Sequence, residues 1–246
     1  MTSNTEEILS RFSKVLGGFV ALQLYRFLNF CVKAEPAALL SVTVWMKGEE
    51  HPLEDASQVG IRKEDEYTLL PLDESYLPQL MRGMVKAHPE FKMKVGYIDQ
   101  EGMHEIDEDK DEEEEEGTKH ILFFTVPEVN DERHDLLTKA IDACHDDCKL
   151  RLETNRVTYL GKLTVALRNE DPSEADDIKQ LFNDIYDQHV KLCNEQYEAK
   201  LEEIEKAYQR YIDKRESDEQ LKAEQQQVEG ESISFRMNMF AKDDDE

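Results

Sequence analysis

The longest regular pattern in the chain covers residues 127–215. Its first part carries apolar or small residues at Leu137, Ile141, Cys144, Cys148, Leu152, Tyr159, Leu163 and Ala166, with Asn155 and Arg156 in the one wider gap. Steps of three and four line one face of a helix, so a long amphipathic helix is predicted. Asn130 or Asp131 is placed to cap its start with a side-chain acceptor, and Pro172 ends it. A second helix opens near a capping box at Ser173. It carries Ile178, Leu181, Phe182, Ile185, His189, Leu192, Gln196 and Ala199 on one face. At ~1.5 Å per residue each helix is roughly 55–65 Å long, and the short link makes them antiparallel neighbours. Two stripes need a third helix to close a core. Residues 3–32 supply it, with Ile8, Phe12, Val15, Phe19 and Leu22 on one side and Leu16, Val20, Leu24, Phe27 and Phe30 on another. That pattern predicts a helix buried on two sides.

After Pro36 the period changes from helical to alternating, the mark of strands. Strands are expected at 41–46, 59–61, 67–72, 91–98 and 120–126, with a turn at 48–52 and a helix running from Asp73 or Ser75 to His88. Trp45 reads as part of the strand core. The fold class is therefore α+β: a long antiparallel three-helix bundle (1–34 and 127–215) with a small mixed α/β domain (35–126) inserted after its first helix. Residues 105–116 hold ten acidic residues, one Lys and one Ile. Such a run cannot bury apolar area and repels itself, so the 99–118 segment is expected to be a disordered loop, available to a basic partner. Residues 216–246 turn polar and are expected to be largely disordered, except that Ile233, Phe235, Met237 and Met239 alternate and predict a docked strand or short peptide within 232–240.

Charge narrows the function classes. The chain of 246 residues carries 30 basic and 56 acidic side chains, a net charge of -26. That balance disfavours casual binding to nucleic acid or anionic membrane, both of which attract clusters of Lys and Arg. The apolar stretch 19–32 includes Gln23, Arg26 and Asn29 and is shorter than the ~20 residues a span needs, so no membrane role is expected. Cys31, Cys144, Cys148 and Cys193 sit at apolar or seam positions of predicted helices. With an acidic start that resembles no signal or transit segment, they imply a reduced, cytoplasmic setting. The spacing of Cys144 and Cys148 could place two metal ligands on one face, yet no second pair follows, and buried apolar cysteines fit better. His189 reads as a core or edge histidine. No Gly-rich phosphate loop or catalytic grouping is present, so neither an enzyme nor a cofactor is expected.

Several stretches carry a family likeness. Residues 34–44 (Ala-Glu-Pro-Ala-Ala-Leu-Leu-Ser-Val-Thr-Val) enter the first strand, 48–56 hold Gly48, His51, Pro52, Leu53 and Ala56, and 70–73 read Leu-Pro-Leu-Asp. Residues 126–139 (Val-Pro-Glu-Val-Asn-Asp-Glu-Arg-His-Asp-Leu-Leu-Thr-Lys) open the long helix. In order and spacing these resemble the ribosome recycling factor family over roughly residues 5–208. The resemblance implies an L-shaped, non-enzymatic protein that enters the ribosome after termination. Such proteins bind large-subunit ribosomal RNA through bundle arginines and, with a GTPase elongation factor, split the subunits. Residue by residue, the implied RNA contacts are Lys33, Arg133, Lys149, Arg156 and Lys162, Arg156 foremost. Three other basic positions of the family pattern are occupied here by Phe30, Glu153 and Val157. A Glu there repels the phosphate that an Arg attracts. Two readings follow: a recycling-type translation protein acting as a monomer, or a paralogue serving as an acidic protein–protein adaptor without RNA contact.

Overall fold

The computed structural model describes residues 1–99, 102–106 and 119–240, with side chains stated through residue 222. Three helices form the bundle: α1 (Ser3–Leu28), α3 (Asp131–Ala166) and α4 (Pro172–Phe240). Between α1 and α3 lie β1 (Thr43–Met46), β2 (Glu49–Pro52), β3 (Ser57–Lys63), β4 (Glu66–Pro71), α2 (Leu77–Ala87), β5 (Lys92–Ile98), β6 (Met103–Glu105) and β7 (Lys119–Thr125).

The bundle closes on one stripe per helix. In α1 it is Thr5, Leu9, Phe12, Leu16, Val20, Gln23 and Phe27, stepping by threes and fours. Phe12 is fully buried, stacked on Phe182 with centroids 4.3 Å apart and tilted against Tyr159 at 5.3 Å. The two predicted sides of α1 merge into one broad face: Phe12 of the first and Leu16, Val20 and Phe27 of the second are buried together, while Leu22 and Leu24 at their margins, and Tyr25, are exposed. Three helices offer α1 two neighbours on one side and none on the other. For the same reason Leu181, Leu192 and Ala199 of the predicted α4 face point to solvent, while Ile178, Phe182, Cys193, Ile204 and Ala207 are buried.

Other boundaries follow local chemistry. Asn130, of the two candidate caps, accepts from Arg133 N at 2.9 Å. The α4 helix starts at Pro172 rather than through a box at Ser173, and Asp171 O accepts from Glu174 N and Ala175 N, both at 3.0 Å. Its pre-set φ suits proline to the first helical position. In the same turn Glu170 accepts from Thr2 N, Thr2 Oγ1 and Thr5 Oγ1 at 2.8, 2.5 and 2.6 Å. These bonds hold its carboxyl near about 2, and they seal the tip of the bundle over the start of α1. At the other end α1 stops at Leu28, so Cys31 and Val32 belong to the connection rather than to the helix. The last helix continues past residue 215, through the segment predicted as disordered and then strand-like, to Phe240. Glu, Lys and Gln are good helix formers, and no proline interrupts them. Docking of the 232–240 side chains lies outside the described residues.

The small lobe has its own core of Leu39, Val44, Met46, Leu53, Tyr67, Leu69, Leu80, Met84, Leu122 and Phe124. Its main sheet is antiparallel in the order β3-β4-β7-β5-β6, with β1 and β2 as a separate hairpin. The expected turn at 48–52 is shorter. Lys47 (φ 52°) and Gly48 (φ 90°) reverse the chain and Glu49–Pro52 pairs as a strand. Helix α2 packs on this hairpin at Gly83, where a Cβ would lie 2.8 Å from Thr43 O. Alternation sends Val44 and Met46 inward, which leaves Trp45 61% exposed and outside the core. Strand β6 replaces the start of the predicted acidic loop; residues 107–118 lie outside the described residues. Arg62 lies over the Phe123 ring at 4.3 Å and bonds Glu66 and Glu105, and Lys94 Nζ reaches Glu105 at 2.5 Å.

Two measurements test this arrangement. Trp45 is the single tryptophan, so acrylamide should quench native fluorescence almost as well as that of the urea-unfolded chain; strong protection would place it in a core. Lys94 and Arg62 hold the Glu105 carboxyl at about 2, below its ordinary value near 4.5. A depressed folded-state value stabilises the protein above the ordinary value and is lost as pH falls towards the folded one. The gap in urea midpoint between the native chain and Glu105→Gln should therefore be full at neutral pH and shrink as pH falls below about 4.5.

Candidate nucleic-acid interface

The structure separates the five candidate contacts into two groups. Lys33 and Arg133 lie where the chain passes between bundle and lobe. Arg133 Nη2 donates to Cys31 O at 2.7 Å and Nη1 bonds Pro127 O, so one guanidinium ties together both connecting segments. Burial pushes its pKa down. Each connection is also pinned to the β3–β4 turn, Ala34 N to Glu64 O and Val126 N to Asp65 O, both at 2.7 Å. Lys33 Nζ is 2.8 Å from Glu35 and 3.8 Å from Glu203. Arg210 and Lys214 of α4 pair with Glu64 and Glu128 across the same junction, around a cavity of about 240 Å³. The charges here are engaged with each other and with main-chain carbonyls.

Lys149, Arg156 and Lys162 sit on the far half of α3. From Arg133 to Arg156 the helix rises roughly 35 Å at ~1.5 Å per residue, so the two groups cannot share one phosphate cluster. Residues 149–168 hold five basic residues (Lys149, Arg151, Arg156, Lys162 and Arg168) and one acidic residue, Glu153, against 30 and 56 in the whole chain. Arg151 and Arg168 were not singled out from the sequence. A count of local charge along the helix, rather than motif matching, would have found them.

The buried stripe of α3 sets where these charges point. Leu137, Ile141, His145, Cys148, Leu152, Leu163 and Ala166 face inward. The predicted seam residue Cys144 is half-buried, and its neighbour His145 takes the inner position. There His145 meets polar partners on both other helices. Its Nδ1 lies 3.4 Å from Gln23 Oε1 and 3.5 Å from Cys193 Sγ, and Gln23 Nε2 donates to Cys193 O at 2.8 Å. Burial pushes the His145 pKa down, keeping the ring neutral at pH 7. His189, by contrast, is half-buried with Nδ1 2.7 Å from Ile185 O. With the stripe inward, Lys149 and Arg156, seven apart, share one outer edge. Arg151 and Lys162 share the other.

Arg156 is held rather than free to swing. Its guanidinium lies 4.6 Å over the Tyr186 ring and 3.6 Å from Glu153, with the side chain 38% exposed. Tyr186 donates to Glu153 at 2.7 Å, and burial together with that carboxylate pushes the phenol up to about 12. Glu153 is therefore the anchor of a Glu–Tyr–Arg trio, neutralising part of the Arg156 charge while fixing its direction. Arg156 Nε is buried and has no hydrogen-bond partner among the described residues. Lys162 Nζ lies 4.4 Å over Tyr159, and Arg151 is bonded to Asp147 at 3.0 Å. Phe30 packs against the lower bundle core around Phe27, Val32 and Val129. Among the described residues no group of three or more His, Cys, Asp or Glu could hold a metal ion, and no helix is long and apolar enough to cross a membrane.

The family described as "Ribosome recycling factor" matches residues 29–205. The chain belongs to the ribosome recycling factor family. Solved structures agree on the fold. A solution structure of the ribosome recycling factor superposes with TM-score 0.62 at 14% identity, over 84% of this chain and 100% of the other. A T. thermophilus recycling factor, from a structure titled as models of that factor and E. coli elongation factor G bound to the E. coli post-termination complex, matches with TM-score 0.52 at 15% identity. That match covers 83% of this chain and 99% of the other. No curated protein sequence matches the chain. As a member of the recycling factor family it keeps the α+β architecture of helical bundle and small lobe, while its basic side chains are arranged in the two groups described.

Arg133 offers a direct check on this division. Lysine has no planar fork and cannot hold Cys31 O and Pro127 O together. Arg133→Lys should lower urea stability by about 1–3 kcal/mol with RNA affinity unchanged. Unchanged stability with weakened RNA binding would mean that the guanidinium faces a ligand instead.

Proposed function

We propose that this protein is a ribosome recycling-type translation factor, not an enzyme. It acts in the cytoplasm, binding the ribosome after termination and promoting subunit release with a translational GTPase. The observation that carries this reading is the five-to-one basic excess on residues 149–168 of a chain with net charge -26. Phosphate contacts dominate affinity for RNA because they release counterions, and they need cations at fixed positions. Arg156, braced by Tyr186 and Glu153, presents one such cation without paying the full entropy of ordering a free side chain. Lys149, Arg151 and Lys162 on the same half of the helix, and Arg168 in the turn that follows it, supply the others. Large-subunit ribosomal RNA is the proposed ligand. The recycling factor and elongation factor G bound together in a post-termination complex support the pairing with a GTPase. Lys33 and Arg133 serve this function by setting the junction from which the lobe is carried.

A second reading has its own support in the exposed Leu22, Leu24 and Tyr25 of α1: an acidic adaptor that meets proteins and not RNA. Salt separates the two. Co-sedimentation with purified large subunits should fall steeply as salt rises from about 0.05 to about 0.2 M if several phosphates are contacted, and hardly at all for an apolar contact. Arg156→Glu should weaken ribosome binding at least about tenfold and reduce the salt slope by about one phosphate. Its thermal midpoint should barely change. Unaltered binding by that variant would remove α3 from the interface.

A further inference from the structure

Between the two basic edges of α3 lies a strip that RNA phosphates do not explain. Leu150, Val157, Leu160 and Val165 are 67, 62, 45 and 60% exposed. Thr154, Gly161 and Thr164 complete the same outward face, and a Cβ at Gly161 would meet nothing within 4 Å. Residues 150–165 thus present an outer face whose only charge is Glu153 at its margin, on a protein in which 35% of residues are charged. Contiguous exposed aliphatic surface rimmed by charge marks a protein contact. Its rim of Lys149, Arg156, Arg151 and Lys162 selects an acidic occupant.

We propose that this strip is a docking face for residues 216–246 of a second copy of the same chain. That segment holds ten acidic and three basic residues, and Leu221, Val228 and Phe235 recur in it every seven positions. A seven-residue recurrence is the spacing that lines one side of a helix. The acidic run 105–116 is a poorer match, since Ile106 is its one apolar residue. The α4 helix carries the segment well beyond the bundle: among residues 1–222 Ala207 is the last buried one, Leu221 is 56% exposed, and the helix continues to Phe240. From 216 to 240 it spans roughly 36 Å, against roughly 24 Å for the strip and its rim.

The two cannot meet within one chain. The α4 helix runs antiparallel to α3, towards the lobe, and its continuation leads away from the tip half of α3 where the strip lies. Two copies laid antiparallel bring each extension alongside the other's strip. The result is two identical contacts about a twofold axis, a closed and self-limiting arrangement. Acidic segment on basic rim offsets the repulsion between two strongly negative proteins. This inference does not depend on RNA binding, because its readout is self-association of the protein alone.

Sedimentation equilibrium of the full chain tests it. In about 0.05 M salt, at concentrations up to roughly 100 µM, the mass should rise from 28.7 kDa towards twice that value, and about 0.5 M salt should weaken the association at least about tenfold. Val157→Glu, at an exposed position with little bearing on the fold, and a chain ended after Arg215 should each stay monomeric. Mixed together, they should form a heterodimer through the one strip and the one extension that remain. A full chain that stays at 28.7 kDa, or association that survives Val157→Glu, overturns the proposal.

Discussion

Burial of one stripe on α3 against α1 and α4 is the constraint on which everything else rests. Only one stripe of the helix is covered by α1 and α4, so its rotation about its own axis is not free. Ile141, Leu152 and Leu163, each fully buried, set that rotation. Each large aliphatic side chain turned to water would cost about 1.5–3 kcal/mol, so a misrotated helix loses more than any surface contact could restore. The polar layer of Gln23, His145 and Cys193 sharpens the setting. Its groups are buried and satisfied chiefly by one another, and a slip along the axis would leave them unpaired. The outward direction of Lys149, Arg151, Arg156 and Lys162 is a consequence of this inward packing.

The same economy explains the division of the basic residues. Near the lobe, cations act within the molecule: Arg133 on two carbonyls, Arg210 and Lys214 on carboxylates of the lobe and its connection. Towards the tip, cations face outward, and two of them lie over aromatic rings, Arg156 on Tyr186 and Lys162 on Tyr159, while Arg151 is held by Asp147. A ring orders a cation without neutralising it, whereas a carboxylate does both. Beside Arg156, Glu153 is such a carboxylate, and its bond to Tyr186 makes it a positioning group as well as a partial counter-charge.

Membership of the recycling factor family and the departures from its pattern are compatible in these terms. Phe30 contributes to the lower bundle core, Val157 to the exposed strip and Glu153 to the trio around Arg156. Each of these three side chains has a physical task of its own in this fold. A basic excess runs through residues 149–168 because Arg151 and Arg168 accompany Lys149, Arg156 and Lys162.

Periodicity by itself determined the three long helices, the strand-rich insertion between the first and second, and most of the inner seam. Those features depend on local spacing, which the order of residues contains. It did not determine which of two adjacent positions, Cys144 or His145, enters the core, because both suit a helical step and only partners from other helices distinguish them. Nor could it show that Leu22, Leu24, Leu181 and Trp45 are exposed: an apolar residue is buried only where another element covers it, and that depends on how many elements there are and where they lie. The division of Lys33 and Arg133 from Arg156 also belongs to the tertiary structure. Charge and residue type were legible in the chain, but whether a guanidinium closes a junction or meets solvent is decided by what the fold brings within about 3 Å of it.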